Sequence, residues 1–222
     1  MTLAVVKIGG GVGCDAIAGV EQLRARGHDV CVVHGAGPQI SAALEELGLP
    51  VEFVGGRRVT SPAALAVVRD VLARVNGELC AALGPVAIGL MGDEIGLAAR
   101  RVSTLGCVGD PIPTRPESVL AALRVGRVPV VAPLAAGPLN VNADEMAAAL
   151  AAGLGAARIL FETDVPGVLR DGAIVPALAA DEADELLALG EFQGGIVPKL
   201  HAAVSAARLG IRAEIGETAV VA

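Results

Sequence analysis

The sequence has 222 residues, a formal net charge of −7 and a hydrophobic fraction of 54%, with three phenylalanines and no tryptophan or tyrosine. It contains no run of basic residues. This composition argues against a nucleic-acid partner, because a positive surface and aromatic stacking platforms are both missing. No stretch reaches the roughly 18 consecutive apolar residues that would span a bilayer.

Cysteine usage and the first residues bear on the cellular compartment. The four cysteines, Cys14, Cys31, Cys80 and Cys107, occur singly, without C-x-x-C pairs or neighbouring histidines. They are predicted to be reduced residues in or near the core, which argues against a zinc site or a disulfide framework. A signal-peptide pattern is also missing. We therefore expect a cytoplasmic protein with one large domain or two closely joined lobes.

The first predicted strand ends in an unusual glycine run. The β-branched segment Leu3–Ile8 is followed by glycines at positions 9, 10 and 11, with Lys7 just before them. A glycine run lets several backbone N–H groups converge on the oxygens of one ligand. The lysine precedes its glycines, so the pattern is neither a P-loop nor a Rossmann fingerprint. Taken alone, this segment leaves a phosphate site and a simple tight turn equally open.

A second β–α unit repeats the arrangement. A helix is predicted over residues 14–26, a buried strand over 30–33, and a further helix over 39–47. The turn between the last two elements is His34-Gly35-Ala36-Gly37-Pro38. Two glycine turns that follow parallel strands lie on the same edge of a sheet, where ligands of open α/β folds bind. Together they point to a single ligand.

The middle of the chain continues the alternation of strands and helices. A hairpin containing Arg57 and Arg58 is predicted over residues 51–60, and Ser61-Pro62 has the composition of a helix start. The elements predicted after it are a helix to about residue 83, a strand over 85–90, short strands over 91–113, a helix over 116–125 and a strand over 128–132.

The segment Asn140-Val141-Asn142-Ala143-Asp144-Glu145 opens another helix. Asn142 is a favourable N-cap, and Glu145 three residues later completes a capping-box-like pattern. Asp144 falls in the first helical turn, where the helix dipole stabilises a carboxylate. Either these residues only cap the helix or the Asp144 carboxylate has a role in a functional site, and we favour the second interpretation.

The carboxyl-terminal third contains a second candidate cation. A fifth core strand is predicted over 158–161, a polar turn over 162–167, a hairpin around residues 168 and 174, and an acidic helix over 181–189. The run Gly194-Gly195-Ile196-Val197-Pro198-Lys199 then opens a long helix, and two short strands end the chain. A lysine near a helix N-terminus opposes the helix dipole, so Lys199 is predicted to face an anionic ligand.

These motifs, in this order, resemble the amino acid kinase superfamily, and within it most closely the acetylglutamate kinases. The resemblance extends over residues 3–216 and rests on six motifs: Lys7-Ile8-Gly9-Gly10, His34-Gly35-Ala36-Gly37-Pro38, Gly56-Arg57-Arg58-Val59-Thr60, Asn140-Val141-Asn142-Ala143-Asp144, Thr163-Asp164-Val165-Pro166-Gly167 and Gly194-Gly195-Ile196-Val197-Pro198-Lys199. It implies a three-layer αβα sandwich around an open, mostly parallel sheet of about eight strands.

The resemblance also implies two lobes and a partner. Residues 1–135 would form an amino-terminal lobe that binds the acyl amino acid and makes the contact of a homodimer. Residues 136–222 would form a carboxy-terminal lobe that binds ATP with Mg²⁺ carried by the nucleotide, without a metal site of the protein's own. The implied reaction is phosphorylation of the side-chain carboxylate of N-acetyl-L-glutamate, a step in arginine biosynthesis.

By the same resemblance, Lys7 and Lys199 would neutralise the transferring phosphoryl group, and Asp144 would hold both lysines. Arg58 would pair with the α-carboxylate of the substrate, and Asn140 would hold its amide end. The remaining implied site residues are Gly35 and Ala36, beside the substrate and the phosphate oxygens, and Gly9, Gly10, Gly37, Thr163, Asp164 and Gly195, beside the nucleotide and its phosphates.

One departure from the family pattern has a physical consequence. Ala36 stands where the family usually has a glycine, so a positive φ there would strain the turn by about 1 kcal/mol or more. Two other functions stay open beside acetylglutamate phosphorylation. The first is an aminoadipate kinase of lysine biosynthesis, acting on an acetylated or carrier-linked substrate. Such an enzyme should have basic residues around its substrate entrance, and Arg57 and Arg58 are a thin version of such a patch. The second is a non-catalytic amino-acid-binding module of the same fold.

Overall fold

A computed structural model describes residues 2–10, 14–163 and 166–222, without the side chains of Cys14 and Asp15. The described residues form these elements: β1 (Leu3–Ile8), α1 (Cys14–Ala25), β2 (Asp29–His34), α2 (Gly37–Glu46), β3 (Phe53–Val54), β4 (Arg57–Arg58), α3 (Pro62–Leu83), β5 (Ala87–Met91), β6 (Ala99–Arg101), β7 (Val108–Pro111), α4 (Glu117–Arg124), β8 (Val128–Ala132), β9 (Leu134–Ala135), β10 (Leu139–Val141), α5 (Ala143–Leu154), β11 (Arg158–Phe161), β12 (Leu169–Arg170), β13 (Ala173–Ile174), β14 (Ala177–Ala179), α6 (Ala180–Ala188), α7 (Ile196–Arg208), β15 (Arg212–Ile215) and β16 (Thr218–Val221).

The main sheet has eight strands in the order β14-β16-β15-β11-β1-β2-β8-β5. Neighbouring strands run parallel except β15 and β16, which are antiparallel. The central strands β1, β2 and β8 are buried on both faces and rich in valine, as parallel strands covered by helices on both sides must be. The predicted fold class is confirmed.

Two hydrophobic clusters cover the two faces of this sheet. The first contains buried residues of α1, α2 and α3, and the second contains residues of α4, α5, α6 and α7. Side chains along β1 alternate between these clusters: Ala4 and Val6 join the first and Val5 joins the second. The same alternation directs Lys7 to the α5 and α7 side.

Beside the sheet's carboxyl edge lies a smaller sheet of four strands in the order β6-β7-β10-β9. The short strands predicted over residues 91–113 are confirmed by β6 and β7, but their pairing with β10 is not visible in local sequence. The parallel β7–β10 pair joins Val108 to Asn140, so it places the asparagine segment next to a distant strand.

Most predicted elements agree with the structure, with small boundary shifts. Helix α2 begins at Gly37 rather than at Gln39, and β5 begins at Ala87 because Gly84–Val86 forms a short 3₁₀ helix. The Ser61 hydroxyl accepts a hydrogen bond from Ala64 N at 3.1 Å, so the predicted helix start is confirmed. Within the residues that the structure describes, no helix is both long and apolar enough to traverse a bilayer.

The described cysteines agree with their predicted state. Cys31, Cys80 and Cys107 are free thiols, and the side chain of Cys14 lies outside the described residues. Cys31 is fully buried, and burial raises the pKa of its thiol to about 12. It is a small apolar residue of the core rather than a reactive group.

A buried polar pair lies under the second glycine turn. His34 is fully buried, and its Nε2 is 3.1 Å from Asn76 Nδ2, which also donates a hydrogen bond to Val130 O at 2.9 Å. Burial lowers the pKa of His34 to about 4. The imidazole is therefore neutral at pH 7, with Nε2 accepting from the amide and Nδ1–H directed at Gly35 O, 3.3 Å away.

This histidine should make folding stability depend on pH. The unfolded chain binds a proton at His34 near pH 6.5, whereas the folded chain binds it only near pH 4. The contribution of His34 to the free energy of unfolding should therefore be fully present above pH 6.5 and be lost between pH 6.5 and 4. The loss from pH 7 to 5 should be about 2 kcal/mol. Urea unfolding at pH 7 and at pH 5 measures this change in the free energy of unfolding. The pH dependence should decrease in His34→Gln and persist in His201→Gln, which changes an exposed histidine. Equal slopes in all three proteins would contradict it.

Candidate active site

The two glycine turns lie side by side at the carboxyl edge of the sheet. Strands β1 and β2 are parallel and in register, with Ile8 opposite His34. Gly35 N donates a hydrogen bond to Ile8 O at 2.9 Å, which fastens the second turn to the end of the first strand. Gly9 and Gly35 therefore begin two turns that lie next to each other, as the repeated pattern predicts.

Close packing explains one of these glycines. A Cβ atom at Gly10 would lie 2.5 Å from Gln39 Oε1 and 3.0 Å from Ala36 Cα, so a larger residue there would require the Gln39 side chain and the second glycine turn to shift. The Gln39 side chain also donates a hydrogen bond from Nε2 to Gly10 O. Sequence reasoning missed this glutamine, although its position in the first turn of the helix after the glycine turn was a usable signal.

The backbone at Ala36 removes the predicted source of strain. Ala36 is the N-cap residue of α2 and has φ −153° and ψ 31°. Because φ is negative, the position does not require glycine, and alanine is accommodated without left-handed strain. The expected penalty for this departure from the family pattern is therefore absent.

Lys7, Asp144 and Lys199 meet at the centre of the site. Lys7 Nζ lies 3.0 Å from Asp144 Oδ1, and Lys199 Nζ lies 3.5 Å from the same oxygen. The three side chains come from the end of β1, the first turn of α5 and the first turns of α7. One carboxylate between two ammonium groups leaves a net positive charge next to the glycine turns. The structure brings together the three residues predicted to be catalytic.

Burial gives this cluster its electrostatic character. Lys7 is only 5% exposed, and desolvation lowers its pKa, with Asp144 opposing the shift and Lys199 adding to it. An opposite charge beside a buried cation offsets much of the free-energy cost of removing that cation from water. Asp144 therefore holds two lysines that would otherwise repel one another, and an arriving anion would find both already in place.

Arg58 is buried next to the second glycine turn. It is 6% exposed, and its Nη2 donates to Gly37 O at 3.0 Å and to Ser41 Oγ at 2.8 Å. Its guanidinium lies 4.5 Å from the ring centroid of Phe53, and its buried Nη1 has no hydrogen-bond partner. Burial lowers the pKa of Arg58. Among the described residues no carboxylate pairs with it, so it has donor capacity for an anionic ligand.

Asn140 connects with Arg58 through one intervening side chain. Its Nδ2 donates to Thr60 Oγ1 at 3.0 Å, and that hydroxyl donates to Arg58 O at 2.7 Å. Thr60 is fully buried and was not predicted to belong to the site. The structure thus places Arg58 and Asn140, two of the residues predicted to bind substrate, in one hydrogen-bonded chain.

The start of α5 differs from the capping-box prediction in one respect. Asn142 Oδ1 accepts hydrogen bonds from the N–H groups of Asp144 and Glu145, at 2.9 and 3.2 Å, so the N-cap is confirmed. The Glu145 carboxylate does not complete the box but pairs with Arg57, whose Nε is 3.0 Å from both of its oxygens. Burial raises the pKa of Glu145, with Arg57 opposing the shift. A charged partner attracts this carboxylate more strongly than a backbone N–H does.

The described residues among those predicted to bind nucleotide lie at the ends of strands and helices that form the site. Thr163 follows β11, whose Phe161 lies opposite Lys7 in the sheet, so it reaches the edge where Gly9 lies. Gly195 is the N-cap residue of α7, the helix that carries Lys199. Gly37 is the exposed first residue of α2. Asp164 lies outside the described residues.

Comparison with known proteins agrees with this geometry. A sequence profile of the amino acid kinase family matches residues 2–217. The acetylglutamate kinase of Geobacillus kaustophilus is 40% identical over 218 residues, covering 91% of this chain and 84% of the relative. That of Rubrobacter xylanophilus is 42% identical over 224 residues, covering 97% and 88%.

Solved structures are similar over the whole chain. The protein smu.665 from Streptococcus mutans superposes with a TM-score of 0.88 at 27% identity, covering 99% of this chain and 98% of that one. An N-acetylglutamate synthase from Neisseria gonorrhoeae, complexed with coenzyme A and N-acetyl-glutamate, superposes with a TM-score of 0.82 at 22% identity, covering 100% and 59%. The latter likeness concerns the fold alone. The extent of the profile match and the identity to these relatives lead to one conclusion: the chain belongs to the amino acid kinase family.

Proposed function

We propose that the protein is an ATP-dependent kinase that phosphorylates the side-chain carboxylate of N-acetyl-L-glutamate, forming an acyl phosphate in arginine biosynthesis. The observation that carries this proposal is the buried Asp144 with a lysine on each side, beside two glycine turns. About 40% identity to acetylglutamate kinases over most of the chain supports the choice of substrate.

The chemistry requires charge and positioning rather than a base. A γ-carboxylate is already ionised at pH 7 and can attack phosphorus without losing a proton. The charge of the transferring phosphoryl group spreads over its oxygens and must be neutralised. Lys7 and Lys199 would supply two positive charges, and the N–H groups of Gly10 and Ala36 would supply further donors. The N–H of Gly35, also expected to contact the phosphate, already donates to Ile8 O.

The same cluster suits a nucleotide that carries its own metal. Its one carboxylate is engaged by two lysines, so its net positive charge fits phosphate oxygens rather than a bare cation. Mg²⁺ would arrive with ATP and neutralise part of the phosphate charge. Gly9, Gly37, Thr163, Asp164 and Gly195 would border the nucleotide and its phosphates.

Arg58 is the proposed partner of the substrate's α-carboxylate. Its unpartnered, buried Nη1 can donate to a carboxylate oxygen, and a guanidinium binds carboxylates through two parallel hydrogen bonds. Asn140, joined to Arg58 through Thr60, would hold the amide end of the acyl group. The proposed division of labour assigns substrate binding and a homodimer contact to residues 1–135, and ATP binding to residues 136–222.

The carrier-linked aminoadipate alternative is weaker in this geometry. An acidic carrier would need free basic residues near the substrate entrance, and Arg57 and Arg58 were the candidates. Arg57 instead pairs with Glu145 at 3.0 Å and with Asp110 at 2.8 Å, so this cluster has a net negative charge. A pure binding module would have no use for two lysines held at one carboxylate, and the lysine pair therefore favours catalysis.

The first prediction from the proposed function concerns the reaction itself. With Mg-ATP and N-acetylglutamate, the purified protein should release ADP, and hydroxylamine should trap the acyl phosphate as a hydroxamate. Lys7→Ala should reduce turnover at least about 100-fold, because a phosphoryl-stabilising charge is lost. N-acetylaminoadipate serves as the comparison substrate. Absence of hydroxamate with N-acetylglutamate, from a folded wild-type protein, would refute the proposal.

The second prediction separates substrate binding from stability at Arg58. Arg58→Met should raise the KM for N-acetylglutamate about 100-fold, because a buried charged pair with the ligand is lost. In the ligand-free protein the same change should not lower the free energy of unfolding, because it removes a buried cation without a carboxylate partner. Arg58→Lys keeps the positive charge but cannot form two parallel hydrogen bonds with a carboxylate, so it should give an intermediate KM. A destabilised Arg58→Met protein with normal KM would contradict the assignment.

The third prediction concerns Asp144. Asp144→Asn leaves two buried ammonium groups without their carboxylate and should destabilise the protein by about 3 kcal/mol. Urea unfolding measures the loss, and the exposed Asp181→Asn provides the control. Adding Lys7→Met to Asp144→Asn should recover part of the stability, because one of the unpaired charges is then absent. If the changes in the free energy of unfolding caused by Asp144→Asn and Lys7→Met simply add in the double variant, the lysines do not depend on Asp144.

A further inference from the structure

We propose that Arg57, through Glu145 and Asp110, is a positioning residue that holds the β3–β4 hairpin over the site and thereby orients Arg58. The inference rests on the proposed function for its kinetic consequence, but its structural part is independent of it. Arg57 and Arg58 are neighbours on the two-residue strand β4. Their side chains therefore point to opposite faces, one toward the site and one away from it.

The β3–β4 hairpin has little intrinsic means of staying in place. Its antiparallel pairing consists of Phe53 with Arg58 and Val54 with Arg57. Phe53, Val54, Gly55 and Gly56 are all exposed, and two-stranded hairpins are marginally stable on their own. Contacts with other elements must therefore fix its position.

Arg58 donates to Gly37 O and Ser41 Oγ of α2, and Arg57 supplies the ion-paired contacts. Arg57 Nε lies 3.0 Å from both oxygens of Glu145 on α5, and Arg57 Nη2 lies 2.8 Å from Asp110 Oδ1 on β7. The Arg57 and Glu145 side chains are 25% and 23% exposed. Partial burial and two carboxylate partners make this cluster stronger than a solvent-exposed ion pair. We call Arg57, Glu145 and Asp110 the hairpin clasp.

Two weaker contacts act in the same direction. Asn142, the N-cap of α5, donates from Nδ2 to Gly56 O at 3.1 Å. A Cβ atom at Gly56 would lie 3.6 Å from Pro198 Cβ, so the hairpin turn comes close to the first turn of α7. The hairpin is thus held against the starts of α5 and α7, the two helices that carry Asp144 and Lys199.

This connection couples substrate recognition to the catalytic cluster. Glu145 follows Asp144 directly on α5, as Arg57 precedes Arg58 on β4. The clasp therefore fixes the distance between the guanidinium proposed to bind the α-carboxylate and the lysines proposed to receive the phosphoryl group. A reaction that depends on positioning is sensitive to small errors in that distance.

The kinetic test uses Arg57→Met, which keeps the aliphatic stem and removes the charge. The KM for N-acetylglutamate should rise about tenfold, because a charge-assisted contact that orients Arg58 is lost. The KM for ATP should change less than about twofold. Glu145→Gln should give the same pattern, and the double variant should be no worse than Arg57→Met alone, because both changes break one cluster.

Arg124→Met is the matched control, because it breaks the exposed Arg124–Glu117 pair on α4. Its kinetic constants should equal those of the wild type. An unchanged KM for N-acetylglutamate in Arg57→Met, or an equal rise in both KM values, would overturn the positioning role. Additive effects of Arg57→Met and Glu145→Gln would overturn the clasp as a unit.

A second readout does not depend on catalysis. Backbone hydrogen exchange of residues 53–58 in the ligand-free protein should be several-fold faster in Arg57→Met than in the wild type and in Arg124→Met. Exchange in β1 and α5 should be unchanged. If hairpin exchange is unaffected, the clasp does not hold the hairpin and the inference fails. If the wild type shows no kinase activity, the proposed function fails, while the exchange experiment still decides whether the clasp holds the hairpin.

Discussion

The buried carboxylate of Asp144 is the interaction on which the site depends. It brings Lys7 from a central strand and Lys199 from the last long helix to the same oxygen, at 3.0 and 3.5 Å. Two desolvated ammonium groups next to the same oxygen would repel each other if that carboxylate were absent. The positive charge that the proposed mechanism assigns to an anionic phosphoryl group is therefore part of the folded protein before any ligand arrives, as efficient electrostatic catalysis requires.

Parallel-sheet architecture explains why these charges can meet. β1 and β2 end at the same edge, so two glycine turns and the start of α5 converge there. The alternation of side chains along β1 sends Lys7 to the face covered by α5 and α7. The two helix starts then supply one carboxylate and one further lysine. A buried ion cluster, costly elsewhere in a core, is tolerated because every charge in it has an opposite neighbour.

The Arg57-Arg58 pair shows where local sequence is ambiguous. Both residues were candidates for a basic entrance, yet only Arg58 is directed into the site, and Arg57 is neutralised by Glu145 and Asp110. Likewise, Glu145 had the spacing of a capping box, but a guanidinium from a distant hairpin engages it. Ala36 departed from the family pattern, and its negative φ makes the substitution harmless.

The sequence by itself determined the alternating strands and helices, the two glycine turns, the N-caps at Ser61 and Asn142, and the identity of the three central charges. It could do so because hydrophobic period, turn chemistry and capping are local properties. Only the tertiary structure decided the pairing of β7 with β10, the depth at which Arg58 is buried, and the contact between Arg57 and Glu145, 88 positions apart. Such contacts depend on which elements the whole core brings together, and no local pattern encodes them.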